Sequence, residues 1–393
     1  MNKIVSLKGS VINDSRGLPT VALEIVSSNG MRVSASVPQG KSVGAYEAFV
    51  EKPEIAVWNI RDIIAPAIIG MSPNDQERID EKMCELDGTH EKSRLGGNAI
   101  LAVSIAVARL AAHERNIPLW KHIRNLSGCV VSEFSFPRLF VNVIHGGLHA
   151  NNNLDFQEYI VIPRAQTLGS SIDAAQKIYL ETKFLLEHRH GNHALPMGDE
   201  GGFAPNFSNN EEPFQILHAA AENIGLADRM DYGLDAAASN VHIRKEKLLS
   251  LYEDFAYRQH LSYIEDPFFE EDFVSFRALQ KKLGTKRILG DDLTVTNIKR
   301  MKRAHSEGAI TGIVIKPNQI GTVTETIAAV RQAKEWGWHI VASHRSGETL
   351  DDFIADFAYG VGAYGLKLGV PRAPERIAKY NRLRAIEQEA KIV

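Results

Sequence analysis

Gly312-Ile313-Val314-Ile315-Lys316 is followed by His339-Ile340-Val341-Ala342-Ser343-His344, whose closing histidine lies 28 positions after the lysine. Each is an apolar run of the length of a buried strand, closed by one polar or charged residue. The unit recurs upstream as Tyr232-Gly233-Leu234 before Asp235, Ser262-Tyr263-Ile264 before Glu265, and Arg287-Ile288-Leu289-Gly290 before Asp291. Downstream it recurs as Gly365-Leu366 before Lys367. From Asp235 onward, the closing residues lie 30, 26, 25, 28 and 23 positions apart. A strand, a loop, an amphipathic helix and a returning loop occupy about that many residues. Strands alternating with helices imply a parallel sheet, and this many units favour a closed barrel over an open sheet. Barrels of this kind carry their chemistry at the C-terminal strand ends. Here those ends read acid, acid, acid, lysine, histidine, lysine.

The chain before the barrel has a different texture. Val21, Leu23 and Ile25 alternate with polar residues, as do Val33, Ala35 and Val37, and Asn29-Gly30 lies between the two runs. That pattern predicts a hairpin. From Trp58 to about Trp120 the period becomes helical, with segments such as Pro73–Leu86 and Asn98–His113. The expected organisation is an α/β chain: a smaller α+β domain over residues 1–130, then a TIM-type (β/α)8 barrel over 131–393.

Bulk properties narrow the function classes. A chain of 393 residues exceeds the usual single-core size. With 44% hydrophobic and 24% charged residues it is an ordinary globular composition, not a disordered or fibrous one. A net charge of −3 gives no reason to expect nucleic acid or an anionic membrane as partner. Cys84 and Cys129 make neither a disulfide framework nor a zinc spacing, and Met1-Asn2-Lys3-Ile4-Val5-Ser6 lacks the apolar core of a signal peptide. A cytoplasmic location is expected. The apolar stretch Ala99–Ala112 is too short to span a bilayer and reads as a buried helix.

The strand-end residues suggest chemistry. Asp235, Glu265 and Asp291 should meet at one mouth, where hard oxygen ligands without cysteine suit magnesium or manganese better than zinc. Each acid alone could equally be a helix cap; Asp266 and Asp292 look like caps. Lys316 and Lys367 should approach the same mouth, where a neighbouring cation and burial could make one amine a usable base, or where each could pair with an acid structurally. His344-Arg345-Ser346-Gly347-Glu348-Thr349 follows a strand and is expected to open a helix, whose start would seat a phosphate or simply be capped. Two glycine-rich clusters lie earlier: His145-Gly146-Gly147-Leu148-His149-Ala150-Asn151, leading to Asp155-Phe156-Gln157-Glu158, and Gly198-Asp199-Glu200-Gly201-Gly202-Phe203. Glu158 and Glu200 are candidate acid/base groups, or parts of acidic turns. Gly360-Val361-Gly362-Ala363-Tyr364-Gly365 matches G-x-G-x-x-G, but it follows a helix and precedes a strand, the reverse of a dinucleotide fingerprint.

Several of these segments together resemble the enolase family. The resemblance rests on Asp14-Ser15-Arg16-Gly17, Gly198 to Asn206, Ile264-Glu265-Asp266-Pro267, Gly290-Asp291-Asp292-Leu293, Lys316-Pro317-Asn318-Gln319-Ile320-Gly321, Ser343 to Thr349, and Glu375-Arg376-Ile377-Ala378-Lys379-Tyr380-Asn381. They run in order along nearly the whole chain. The resemblance implies an α+β domain on a barrel with an atypical start, and a lyase that interconverts 2-phosphoglycerate and phosphoenolpyruvate. It implies Lys316 as the base at C2 and Glu200, beside Glu158, as the acid at the C3 hydroxyl. It also implies Asp235, Glu265 and Asp291 as ligands of a first Mg²⁺, and Ser42 as the contact to a second. His149, Gln157, Glu158, His344, Arg345, Ser346 and Lys367 match substrate-binding positions. The implied partner is a small phosphorylated carboxylate.

The chain departs from the family pattern at particular places. The loop Pro38-Gln39-Gly40-Lys41-Ser42-Val43-Gly44 carries Lys41, an added cation on the expected lid, and the stretch Ala48–Pro53 is shortened. His145 replaces an asparagine, Asn240 a glutamate, and Ala373-Pro374 the start of an Arg-Ser-Glu-Arg run. The family implies a homodimer or higher homo-oligomer, but Ala22 stands where a glutamate commonly pairs across the dimer. Lys41 motivates an alternative: an enolase-like paralogue of phosphonate metabolism, such as a carboxyphosphonoenolpyruvate synthase.

Overall fold

The computed structural model describes residues 2–41, 46–131, 136–191 and 194–392. The first strands, β1 (Ile4–Asn13), β2 (Pro19–Ser27) and β3 (Arg32–Ser36), form an antiparallel sheet in that order. The expected hairpin joins β2 to β3, and Gly30 turns it at φ +83°, a conformation that suits glycine. Val21, Leu23 and Ile25 are buried together with Val33 and Ala35, which puts one face of the sheet against the helix Gly97–Glu114. That helix buries 15 of its 18 residues because the sheet covers one side and barrel helices another. This explains an apolar surface all round rather than a single stripe.

Eight strands close the barrel: β4 (Arg138–His145), β5 (Glu158–Pro163), β6 (Met230–Asp235), β7 (Leu261–Glu265), β8 (Arg287–Gly290), β9 (Gly312–Ile315), β10 (His339–Ser343) and β11 (Gly365–Lys367). The repeats alone predict parallel strands throughout, and one strand departs from that. β5 runs antiparallel to both β4 and β6, the atypical start that the family resemblance implies. A reversed strand brings its first residue, not its last, to the rim. Glu158 therefore pairs in register with His145 on one side and Asp235 on the other.

Phe140, Ile160, Ile162, Tyr263, Leu289, Val314 and Val341 fill the barrel interior. Gly233 and Gly365 leave room for the two rings: a Cβ on either would come within 1.9 Å of Tyr263 and 2.3 Å of Phe140 respectively. The interior is thus a plug, and ligands can enter only at the rim.

The segment after β10 also differs from expectation. No helix opens at His344; the next helix is Phe353–Gly360. The backbone amides of Gln39 and Gly347 each donate to the other's carbonyl, and Lys379 Nζ donates to the carbonyl of Thr349 at 2.9 Å. The loop from His344 to Thr349 is held by the N-terminal domain and the last helix, and needs no helix of its own. Among the described residues, no helix is long and apolar enough to cross a membrane.

Candidate active site

The strand geometry delivers charged side chains to one rim, and burial then decides how they pair. Lys367, at the end of β11, places Nζ 2.7 Å from Glu158 Oε2, 2.9 Å from Asp235 Oδ2 and 3.0 Å from Glu265 Oε1. Lys316, just beyond β9, is ion-paired with Asp291, whose other oxygen accepts from Gln319 Nε2 at 3.0 Å. Gln157 Nε2 donates to Asp235 at 3.3 Å. Four carboxylates thus face two ammonium groups, a surplus of two negative charges in a buried setting were all four ionised.

That surplus is visible in proton affinities. Burial, then Asp235, pushes Glu265 well above the usual carboxylate range; burial also raises Asp235 against the pull of Lys367. Burial would raise Asp291 too, but Lys316 overrides it and holds it low. Lys316 is correspondingly raised: burial lowers it, Asp291 more than reverses that, and Arg345 and Lys367 press the other way. A lowered lysine was the expectation, so the ion pair with Asp291 reverses it here.

The donor set fits a hard divalent cation. Glu265 Oε2 is buried and has no hydrogen-bond partner among the described residues. An orphaned carboxylate oxygen beside surplus negative charge is what a dication would satisfy. The three expected ligands do lie at three successive strand ends, but two ammonium groups stand among them. The sets whose ligand atoms all lie within 4.8 Å of one another, among the described residues, are His145 with Glu158 and Glu200, and Asp266 with Asp291 and Asp292. In the first set the carboxylates are already engaged, by Lys367 and by Asn142 and His344.

Across the mouth, His344 Nε2 is 2.8 Å from Glu200 Oε2, which also accepts from Asn142. Burial would raise Glu200, but His344, His149 and Arg376 outweigh it and hold the group well below its ordinary value. His149 Nδ1 lies 3.2 Å from Glu158 Oε1; burial lowers this histidine, and Glu158, Glu200 and Asp235 raise it further than burial lowers it. Glu200 at rest is therefore an anion among donors. His145 is fully buried, with neither ring nitrogen partnered among the described residues, and burial depresses it to about 4.

The N-terminal domain completes the mouth. Arg345 donates to Glu47 at 2.9 and 3.3 Å and to Asn318 Oδ1 at 3.1 Å, and Arg16 reaches Ser346 Oγ at 3.4 Å. Lys41 Nζ lies 2.8 Å from Asp199 Oδ2 and donates to the carbonyl of Leu148 at 2.8 Å. The cleft is lined by Glu158, Glu200, Asp235, Asp291, Lys316, Lys367, His149, Gln157, His344, Arg345 and Ser346. Glu265 is fully buried outside this lining and meets the site through its pair with Lys367. Ser42 lies outside the described residues.

Several contributors escaped the sequence reading. Asp266 was expected as a helix cap, yet its carboxylate accepts the backbone N–H groups of Asp291 and Asp292 at 3.1 and 2.6 Å and shapes the rim. Its φ of +41° is a strained value for a residue with a side chain. Asn142, Gln319 and Glu47 each orient a candidate group, and only their place beside the family motifs marks them.

Residues 4–123 match the family description "Enolase, N-terminal domain", and residues 133–392 match "Enolase, C-terminal TIM barrel domain". Enolase B of Dictyostelium discoideum is 40% identical over 422 residues, spanning 98% of this chain and 95% of that protein. An enolase of Solanum lycopersicum is 39% identical, covering 99% and 96%, and Enolase 2 of Hevea brasiliensis is 39% identical, covering 98% and 95%. With both domains matched and its barrel rim charged in this way, the chain belongs to the enolase family and is an enolase-type carbon–oxygen lyase.

Proposed function

We propose that the enzyme interconverts 2-phosphoglycerate and phosphoenolpyruvate, with two Mg²⁺ ions bound. The observation that carries this reading is the buried charge imbalance around Lys367, with the orphaned Glu265 Oε2 beside it. Asp235, Glu265 and Asp291 are the residues to hold one ion, and Ser42 the contact to a second. Bound Mg²⁺ supplies stabilisation of the negative charge that collects on the substrate carboxylate when C2 loses its proton. Lys316 takes that proton. Arg345 and Lys367 already disfavour the protonated amine, and Asp291 would favour it less if it held a cation.

Glu200, with Glu158 beside it, handles the proton at the C3 hydroxyl. An ionised Glu200 suits the hydration direction, where it accepts a proton from water; in dehydration the anionic substrate entering the cleft favours its protonated form. His149, Gln157, His344, Arg345, Ser346 and Lys367 orient the phosphorylated carboxylate. We place the domain boundary between residues 130 and 131, a reading supported by the gap between the two family matches, and the enzyme in the cytoplasm, in keeping with two free cysteines.

The test is direct. Phosphoenolpyruvate formation from 2-phosphoglycerate should appear with Mg²⁺ and vanish on chelation; folded protein that forms none with Mg²⁺ overturns the reading. The phosphonate alternative leaned on Lys41, and the pairing of Lys41 with Asp199 accounts for that residue within the protein itself.

A further inference from the structure

Arg376 is 1% exposed, an unusual place for a guanidinium, and its donors are aimed at the active-site loop. Its Nη1 lies 2.6 Å from His344 Nδ1 and 2.9 Å from the carbonyl of Arg345, and its Nη2 donates to the carbonyl of Ser346 at 2.8 Å. An arginine has only donors and keeps its proton at any pH a folded protein meets. The ring nitrogen it approaches must therefore present a lone pair. With Nδ1 accepting, the imidazole carries its single proton on Nε2, and that N–H points at Glu200 Oε2, 2.8 Å away.

We infer that Arg376 is a positioning residue that locks His344 as the neutral Nε2–H tautomer, making it a permanent hydrogen-bond donor to Glu200 and barring it from taking up a proton itself. The inference rests on the reading of Glu200 as the group that exchanges a proton with substrate. Two effects follow. His344 cannot compete with Glu200 for the proton in transit. It also offers the same hydrogen bond through the neutral range, so the affinity of Glu200 for its proton is set there by fixed groups. The groups facing the ring are Glu200 at Nε2, Arg376 at Nδ1, Glu348 on the same loop, and the backbone of Gly369, where an added Cβ would come within 3.0 Å of Cε1. Glu200 and Glu348 favour a protonated ring; Arg376 and burial oppose it and prevail.

The tautomer can be read without substrate. In intact enzyme labelled with ¹⁵N-histidine, with the signal assigned by its loss in His344→Asn, His344 should show a bare Nδ1 and a protonated Nε2, unchanged from about pH 5 to about pH 8. A protonated Nδ1, or a ring that titrates in that window, overturns the inference. Arg376→Met removes the donors and keeps much of the bulk; its His344 should titrate or populate the Nδ1–H form, and kcat should fall by about 10²-fold with KM changed far less. The pH profile of kcat should gain a new ionisation. Arg376→Lys, which keeps the charge and one donor, should leave the ring in the Nε2–H form, and if the methionine variant does not fold the wild-type spectrum decides the matter alone. An unaltered ring in a folded methionine variant also overturns it. Because the spectrum involves no turnover, failure of the 2-phosphoglycerate assay leaves this result standing, and the reverse holds too.

Discussion

Lys41 reaches from the N-terminal domain to Asp199 in the barrel domain, its ammonium 2.8 Å from the carboxylate, one residue before Glu200. The contact joins the expected lid to a loop that carries a candidate acid/base group. Both side chains are partly exposed, at 47% and 27%, so the pair belongs with solvent-screened bridges worth about 0.2–1 kcal/mol. Lys41→Met should accordingly raise KM for 2-phosphoglycerate by no more than about fivefold and leave kcat nearly unchanged, and the difference from wild type should shrink at high salt. Asp199→Asn should behave alike, and the double variant no worse than either. A loss beyond about tenfold that Asp199→Asn does not reproduce would mean that Lys41 meets the substrate directly.

The two active-site lysines should separate cleanly in their effects. Lys316 pairs with one acid, and Asp291 keeps Gln319 as a donor when the amine is removed. Lys367 is shared by three buried carboxylates, so its loss strands them all. Lys316→Met should cut kcat by at least about 10²–10⁴-fold with little change in melting temperature. Lys367→Met should cut activity and also destabilise the metal-free protein by about 3–5 kcal/mol. Calorimetry of the two variants checks this; equal stability would contradict the shared ion cluster.

Divalent metal should reverse the charge imbalance. Added Mg²⁺ should stabilise the folded state as the logarithm of its concentration above Kd, by about 2.7 kcal/mol at a hundredfold excess, and the melting temperature should keep rising beyond saturation. Glu265→Gln removes one of the crowded carboxylates, so its metal-free form should be as stable as wild type or more so, while its response to Mg²⁺ is lost. A full Mg²⁺-induced shift retained in Glu265→Gln would remove this side chain from the metal site.

Much of this site is legible in the sequence because barrel strands end where chemistry begins. Asp235, Glu265, Asp291, Lys316, His344 and Lys367 close their strands or follow directly, and all but Glu265, which pairs with Lys367, line the cleft. The reversal of β5 is not legible in the same way, since an apolar run such as Tyr159–Ile162 reads identically in either direction. The helix expected at His344 failed for a different reason. That loop takes its hydrogen bonds from Gln39, Ser15, Arg376 and Lys379, partners up to 333 residues distant that no local pattern reveals. In the helix Pro374–Ile392, Arg376 and Lys379 share helical spacing with Tyr380, Leu383 and Ile386, all of them buried. Cations on an apolar helix face have to find acceptors inside the protein.

His122 provides a pH-dependent prediction away from the site. It lies in the helix Leu119–Ser127, fully buried, with neither ring nitrogen partnered among the described residues. Burial, with a smaller push from Arg115, lowers its pKa to about 4. In the unfolded chain the same ring takes up a proton near pH 6.5. Between these values the unfolded state binds a proton that the native state refuses, so stability falls as the pH falls. The stabilising contribution is complete above about pH 6.5 and is lost progressively down to about pH 4, by about 3 kcal/mol in all. His122→Leu has no proton to bind in either state and fills the same apolar position. Its denaturant midpoint should match or exceed that of wild type at neutral pH, because two unsatisfied ring nitrogens are gone. On acidification the two proteins should diverge, the variant retaining about 3 kcal/mol that wild type loses. Parallel curves for the two from about pH 7 to about pH 4 would show that His122 charges inside the folded protein, which requires a proton acceptor beside the ring.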